Sequence, residues 1–151
     1  MLVHTAAYGQ AKCPWMNEAT ARGILGGEVT MTVSVTGHGD GVCQVSRQQG
    51  SILRQLRISV SVMSDISKDF PAYLAQCPPT SAHLAAVGNE AVTCSDNSKA
   101  ELYSEQVVGR VRDHAFVVSV SASVWNDTSM TQEMRRAKAN LAAEQVAGIL
   151  F

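Results

Sequence analysis

The four cysteines, Cys13, Cys43, Cys77 and Cys94, constrain the fold of this chain more than any other feature of its sequence. Their number is even and no two of them form a C-x-x-C motif, so the pattern favours structural disulfides over a thioredoxin-like redox site or a zinc knuckle. Three pairings are open, and the sequence alone does not choose among them. We favour Cys13 with Cys43 and Cys77 with Cys94, because each bridge then closes within one half of the chain. Four buried free thiols are the alternative, since cysteine is among the most buried residue types.

Disulfides persist mainly in oxidising compartments, so the cysteines predict an extracytoplasmic protein, either secreted or periplasmic. The N-terminal tail, residues 1–12, bears on the same question. It lacks the basic region and the apolar stretch of a complete signal peptide, but Thr5-Ala6-Ala7 and Gly9-Gln10-Ala11 carry small residues of the kind that precede a cleavage site. Our hypothesis is that the tail is the remnant of an export signal. An ordinary chain terminus is the alternative.

Charge and composition argue against two classes of function. The 12 basic and 13 acidic residues give a net charge of −1, whereas a nucleic-acid-binding surface usually shows as a basic excess or stripe. No apolar run reaches the length of about 18 residues that a transmembrane helix needs. The 151 residues, of which 46% are hydrophobic, suit one globular domain, which we place at residues 13–151.

In the first half of the chain, the pattern predicts a helix, three strands and a second helix. The first helix opens at Cys13-Pro14-Trp15 and stops at Gly26-Gly27, because glycine commonly follows the C-terminus of a helix. Apolar and polar residues then alternate in three runs separated by turns, which is typical of antiparallel strands. Asp65–Gln76 is predicted to be a helix that Asp65 or Ser67 caps.

In the second half, Ser81–Val87 is predicted to be a short helix that ends at Gly88. Three strands follow, with a turn region at Gly109–Asp113 before the last of them. The predicted strands are Ala91–Cys94, Lys99–Val108 and His114–Trp125. Ser129 and Gln132 have the spacing of a capping box, which marks the start of a long final helix. Its predicted apolar stripe is Ala139, Ala142, Ala143, Val146, Ile149 and Leu150.

The two halves resemble each other. Each begins with Cys-Pro, at Cys13-Pro14 and Cys77-Pro78, and each continues with a glycine-terminated helix, three strands and a helix. We interpret residues 13–76 and 77–151 as pseudo-repeats of a duplicated α-β-β-β unit; a chance resemblance is the alternative. The predicted fold class is therefore α+β, with one antiparallel sheet of about six strands and the helices packed on one face.

Four histidines are candidates for a catalytic or metal site. His38 lies in the glycine-rich turn Gly37–Gly41, which could bind a metal or a partner, but a plain hairpin loop explains the same residues and we favour it. His4, His83 and His114 are isolated, and the chain has no H-E-x-x-H, G-x-S-x-G or P-loop motif. We therefore predict no catalytic residue, no metal ligand and no cofactor, and we leave the ligand-binding residues unassigned.

Two further clusters have a structural and a functional interpretation. Asn126-Asp127-Thr128 fits the acceptor pattern for N-glycosylation, but beside a helix start we favour a role in the turn and the cap. Arg135, Arg136 and Lys138 form a small basic cluster on the final helix. We predict that this cluster is a solvated helix face rather than a binding site.

Several of these features together resemble a known group of proteins. The Cys-Pro helix that ends at Leu25-Gly26-Gly27, the Cys43 strand behind a glycine-rich turn, and Val87-Gly88-Asn89-Glu90-Ala91 ahead of another strand are similar to small secreted lipoprotein domains of actinobacteria. They also resemble the extracellular sensor domain of mycobacterial receptor serine/threonine kinases. The resemblance extends from Cys13 to Leu150, and it implies a bacterial α+β domain outside the cytoplasm, two disulfides, no known catalytic residues and a cleft for an unidentified ligand.

Two residues depart from the pattern of that group. Gln44 follows the second cysteine, where the group commonly has tryptophan. Lys12 before Cys13 does not fit a lipobox, so lipidation at Cys13 is not predicted.

The leading hypothesis for function is a non-catalytic extracytoplasmic module that binds a small ligand or another protein. A small secreted hydrolase is the first alternative, which would need a serine within hydrogen-bond reach of His38, His83 or His114. An inhibitor or immunity-type binding protein is the second, which would show one exposed apolar patch. No nucleic-acid partner and no membrane-spanning segment are expected, and the sequence indicates neither the identity of the partner nor the oligomeric state.

Overall fold

A computed structural model describes residues 12–78, 81–97 and 102–151 of the chain. Within these residues the chain forms three helices and seven strands. The helices are α1 (Glu18–Leu25), α2 (Ile66–Leu74) and α3 (Gln132–Leu150). The strands are β1 (Thr30–Val35), β2 (Gly41–Gln49), β3 (Ile52–Val62), β4 (Ala82–His83), β5 (Glu90–Asp96), β6 (Tyr103–Val111) and β7 (His114–Ala122). The hypotheses that concern the export signal and His4 lie outside the described residues.

All seven strands form one antiparallel sheet in the order β1-β2-β3-β7-β6-β5-β4. The α+β class is therefore confirmed, with one strand more than predicted. Each half supplies a three-stranded meander, and the two meanders join where β3 pairs with β7, with Ile58 opposite Val118. Gly26 and Gly88 have positive φ angles of 91° and 63° ahead of β1 and β5, a conformation that favours glycine.

The main hydrophobic core lies between α1, α3 and one face of the sheet. On the two central strands, alternate residues point to this face, so Leu56, Ile58 and Val60 of β3 meet Phe116 and Val118 of β7. Helix α3 contributes Ala139, Ala142, Ala143, Val146 and Ala147. Ile149, which was predicted to belong to this stripe, is 52% exposed.

Helix α2 packs on the opposite face of the sheet, so the prediction that all helices share one face was wrong for this helix. Phe70 contacts Ala115, and the flanking Tyr73 and Leu74 pack against a cluster that includes Val108. Val108 and Ala115 alternate along their strands with Val107 and Phe116, which belong to the main core. β6 and β7 therefore carry apolar side chains on both faces. The adjacent apolar pairs Val107-Val108 and Phe116-Val117 are typical of strands that are covered on both sides.

Both predicted disulfides are present, as Cys13–Cys43 and Cys77–Cys94. The first ties the segment before α1 to β2, and the second ties the segment after α2 to β5. The two helices lie on opposite faces of the sheet, so each face has one disulfide that fixes a helix to a strand. The pairing within each half of the chain is therefore confirmed.

The segment 81–87 was predicted to be a helix, and it is not one. Ala82 and His83 form β4 at the edge of the sheet, and Leu84 N–H donates to the carbonyl of Ala91 at 2.9 Å. A short isolated helix is marginal without tertiary support. Here the edge of β5 offers hydrogen-bond partners, and Val87 is buried in the main core.

The turn predicted at Gly109–Asp113 is shorter in the structure, because β6 continues to Val111. A side chain at Gly109 would place its Cβ 2.5 Å from the ring of Phe116. This glycine therefore marks a close approach inside a strand rather than a turn. The cap of α3 was also misplaced: Thr131, not Ser129, accepts the hydrogen bond from Met134 N–H, at 3.2 Å.

Removing either disulfide should lower the free energy of unfolding. On the chain-entropy model, replacing both cysteines of Cys77–Cys94 by alanine costs about 3 kcal/mol, and the longer loop of Cys13–Cys43 costs about 3.5 kcal/mol. Urea denaturation of the two double-alanine variants measures both values. Alkylation of the non-reduced native protein should modify no cysteine, and four modified thiols would contradict the pairing.

Candidate functional site

Three charged side chains occupy inward positions at one end of the main core. Arg54 continues the inward row of Leu56, Ile58 and Val60 on β3. Glu105 lies on β6, opposite Val120 of β7. Arg135 extends the buried stripe of α3 by one turn toward the start of the helix. All three are buried, at 5%, 1% and 3% exposure. The core therefore ends in a charged layer beneath the loop that joins β7 to α3.

Arg54 forms a bidentate ion pair with Asp127 of that loop. Nε donates to Oδ2 at 2.8 Å and Nη2 donates to Oδ1 at 3.0 Å. The hydrogen bonds from Arg54 hold the pKa of Asp127 below its usual value, against the opposing effect of burial. Asp127 also accepts from Ser129 N–H at 3.0 Å, so the same carboxylate fixes the turn that leads into α3.

Glu105 forms the second ion pair of this layer, with Arg136 of α3. Arg136 Nη2 lies 2.7 Å and Nε lies 2.9 Å from the same carboxylate oxygen, Oε1. The Glu105 side chain is almost completely buried, whereas Arg136 is half exposed. Both contacts end on one oxygen, and a carboxylate has about four lone-pair sites, so Glu105 retains capacity to accept a further donor.

Arg135 lies between the two ion pairs. Its Nη1 donates to the carbonyl of Met130 at 2.8 Å, while its Nε is buried and has no hydrogen-bond partner among the described residues. Burial lowers the pKa of Arg135, and the carboxylates of Glu105 and Asp127 oppose that effect. Those two carboxylates therefore help to keep the guanidinium charged in a buried position.

The basic cluster on α3 was predicted to face solvent, and this prediction was wrong. Arg135 is buried, Arg136 binds Glu105, and Lys138 Nζ donates to the carbonyl of Ile24 at 2.5 Å. Burial lowers the pKa of Lys138, and nearby Arg54 acts in the same direction. Lysine at this position satisfies a carbonyl at the C-terminus of α1, where a helix presents partial negative charge.

A cleft of about 430 Å³ lies above this charged layer. The loop after β7, the start of α3 and the neighbouring ends of β5 and β6 form its walls. Its buried lining residues are Glu105, Asp127 and Arg135. The other lining residues are Asn97, Tyr103, Trp125, Asn126, Thr128, Thr131 and Gln132. Trp125 is 70% exposed, which is unusual for a residue that large and apolar.

His38, His83 and His114, the nominated histidines that the structure describes, do not line this cleft. His114 Nδ1 lies 3.0 Å from Asp113, and Gly39 next to His38 lies against the His114 ring at the opposite end of β7 from the cleft loop. His83 is exposed on β4. No hydrogen bond joins a serine hydroxyl to a histidine among the residues described.

Asn126-Asp127-Thr128 provides the predicted turn but not the helix cap. Its central residue instead belongs to the buried ion pair with Arg54, which the sequence analysis did not identify. The signal for the charged layer was present, because Arg54, Glu105 and Arg135 each stand in register with an apolar row. A charge at the end of such a row indicates a buried partner.

No protein-family model, curated protein or solved structure matches the chain. The resemblance to actinobacterial lipoprotein domains and kinase sensor domains therefore stays a prediction. No described helix is long and apolar enough to cross a membrane. The described residues include no group of three or more His, Cys, Asp or Glu side chains placed to hold a metal ion.

Asp127→Asn should lower the free energy of unfolding by about 3 kcal/mol, because it leaves the Arg54 charge buried without its counter-ion. Urea denaturation at pH 7 measures the change. Glu18→Gln is the matched control, since it breaks the exposed ion pair with Arg22 and should cost less than about 0.5 kcal/mol. Equal effects of the two substitutions would contradict the role of the buried pair.

The contribution of Asp127 should disappear in acid. Its pKa in the folded protein lies below the usual value of 3.8, so the stability it provides is present above pH 3.8 and is lost as the pH falls through the folded-state pKa. The difference in unfolding free energy between wild type and Asp127→Asn should therefore be constant from pH 7 to 5 and shrink below 3.8. A difference that grows in acid would show that the carboxylate is not held in its charged form.

Proposed function

We propose that this protein is a non-catalytic, extracytoplasmic module that binds a small ligand in the cleft between the β7–α3 loop and the start of α3. The observation that carries the proposal is the combination of an exposed tryptophan, Trp125, with a buried charged layer in one concave site. The volume falls within the range of roughly 300–1,000 Å³ that is typical of small-molecule sites.

The state of the charged residues favours binding over acid–base catalysis. A catalytic carboxylate generally needs a pKa that is shifted toward the working pH. Asp127 has the opposite shift, and the buried carboxylate of Glu105 is held by Arg136. These groups stabilise the walls of the cleft and are engaged with each other rather than available for proton transfer.

The two disulfides indicate an oxidising, extracytoplasmic environment. Secretion through an export signal at residues 1–12 is part of the proposal, and the disulfides support it. The predicted resemblance to extracellular sensor domains supports the same location. For the hydrolase alternative, the described histidines provide no supporting observation, because none of them lines the cleft.

A fragment screen by two-dimensional NMR tests the proposal directly. Small-molecule fragments that bind the isotopically labelled protein should shift amide signals in residues 123–132 and in the first residues of β6. Trp125→Ala should weaken these fragments by about tenfold, because the ring supplies the largest exposed apolar surface of the site.

Phe151→Ala is the matched control, since Phe151 is an aromatic residue with a similar exposure of 63% that does not line the cleft. It should leave every fragment affinity unchanged. The proposed site would be overturned if fragments shift signals only elsewhere in the sheet, or if no fragment shifts the signals of the cleft residues.

A further inference from the structure

Among the described lining residues of the cleft, the charged side chains lie on its floor. Glu105, Asp127 and Arg135 are buried to 97% or more, and the two carboxylates are occupied by Arg136 and Arg54. The exposed lining residues that the structure describes are uncharged: Asn97, Trp125, Asn126, Thr128, Thr131 and Gln132. A ligand that enters the cleft therefore meets neutral groups first.

Nearly all of these neutral groups can both donate and accept hydrogen bonds. Asn97, Asn126 and Gln132 present amides, and Thr128 and Tyr103 present hydroxyl groups. An amide offers two donors and a carbonyl acceptor, and a hydroxyl offers one donor and two lone pairs. A complementary ligand therefore carries several closely spaced groups that both donate and accept hydrogen bonds.

The floor adds an acceptor and a donor that are not fully used. Both contacts from Arg136 end on Oε1 of Glu105, so this carboxylate has lone-pair sites left for a further donor. Nε of Arg135 is also unpartnered and buried. A buried polar group without a hydrogen-bond partner costs free energy. The floor therefore favours a ligand hydroxyl that donates to the Glu105 carboxylate, or a small movement that gives the Arg135 guanidinium a partner.

Trp125 supplies a flat apolar surface at the rim. Its side chain is 70% exposed, whereas the other tryptophan, Trp15, is buried with 5% exposure. An aromatic face offers a large rigid contact area to the apolar face of a ring. A flat apolar platform beside clustered amides and hydroxyl groups suits a molecule that is apolar on its ring faces and hydroxylated around its edge.

We infer that the ligand of this cleft is a neutral saccharide, with one sugar ring stacked on Trp125 and its hydroxyl groups bound by the neutral rim and by Glu105. This inference rests on the proposed function, because it assigns a ligand class to the same site. A sugar hydroxyl donates and accepts, so it can pair with each of the rim groups. Among the lining residues that the structure describes, a strongly charged ligand finds no exposed charge of opposite sign.

An array of immobilised neutral glycans, built from hexoses, N-acetylhexosamines, deoxyhexoses and pentoses, tests the ligand class with the full chain. At least one glycan should be retained, and titration of that glycan in solution should protect Trp125 from acrylamide quenching. Trp125→Ala should weaken its affinity by about tenfold, and Trp125→Phe should weaken it by less, because phenylalanine keeps a smaller stacking surface. Phe151→Ala should bind like the wild type.

Retention of no glycan, or retention that Trp125→Ala leaves unchanged, would overturn the saccharide. The fragment screen separates this failure from that of the proposed function. If charged or aromatic fragments still shift the cleft signals while no glycan binds, the cleft is a ligand site for another chemical class. If neither fragments nor glycans bind there, both the saccharide and the site are wrong.

Discussion

The buried ion pair between Arg54 and Asp127 connects the two halves of this protein at the place where the cleft is formed. Arg54 belongs to β3 in the first half, and Asp127 belongs to the loop that follows the last strand of the second. Burying two charges is costly unless the geometry is good and the remaining lone pairs are used. Here the guanidinium binds both carboxylate oxygens, and Oδ1 also accepts from Ser129 N–H. The position of the loop, and with it the shape of the cleft, depends on this contact.

The charged layer replaces apolar packing at one end of the core. Each charged residue extends an apolar row of its own element: Arg54 precedes Leu56 on β3, Glu105 precedes Val107 on β6, and Arg135 precedes Ala139 on α3. These groups have to pair with one another, which restricts the geometry of the β7–α3 loop and of the first turns of α3. The two ion pairs, Arg54 with Asp127 and Arg136 with Glu105, therefore give this end of the core a defined shape.

Much of the fold could be predicted from local patterns. The alternation in β1, β3 and β7 predicted these strands, and Gly26 and Asp65 marked helix ends that the structure confirms. The helix prediction for segment 81–87 was wrong because hydrogen bonds to the edge of β5, a tertiary effect, outweigh the local helix propensity of its residues. Helix α2 was placed on the wrong face because the apolar residues on both faces of β6 and β7 were not weighed. Both errors arise from contacts between segments that are distant in sequence.

The candidate site was much harder to predict. Its residues are ordinary in the sequence: one of two tryptophans, scattered amides and a basic cluster that is typical of a solvated helix. Only their positions in the fold bring them together, since Glu105 and Arg136 come from different elements. The available signal was the register of Arg54 and Glu105 with apolar rows, and a charge at such a position predicts a buried partner without naming it.

Hydrogen exchange at the β7–α3 loop tests most directly whether the Arg54–Asp127 pair holds the cleft in place. In the wild type, the amides of Ser129 and Met130 should be protected, because they donate to Asp127. Arg54→Met should speed their exchange while the central amides of β7 stay protected. Arg57→Met, a substitution on the opposite face of the same strand, should leave the loop unchanged. Exchange at Ser129 and Met130 that is fast in the wild type, or that Arg54→Met does not alter, would contradict the account.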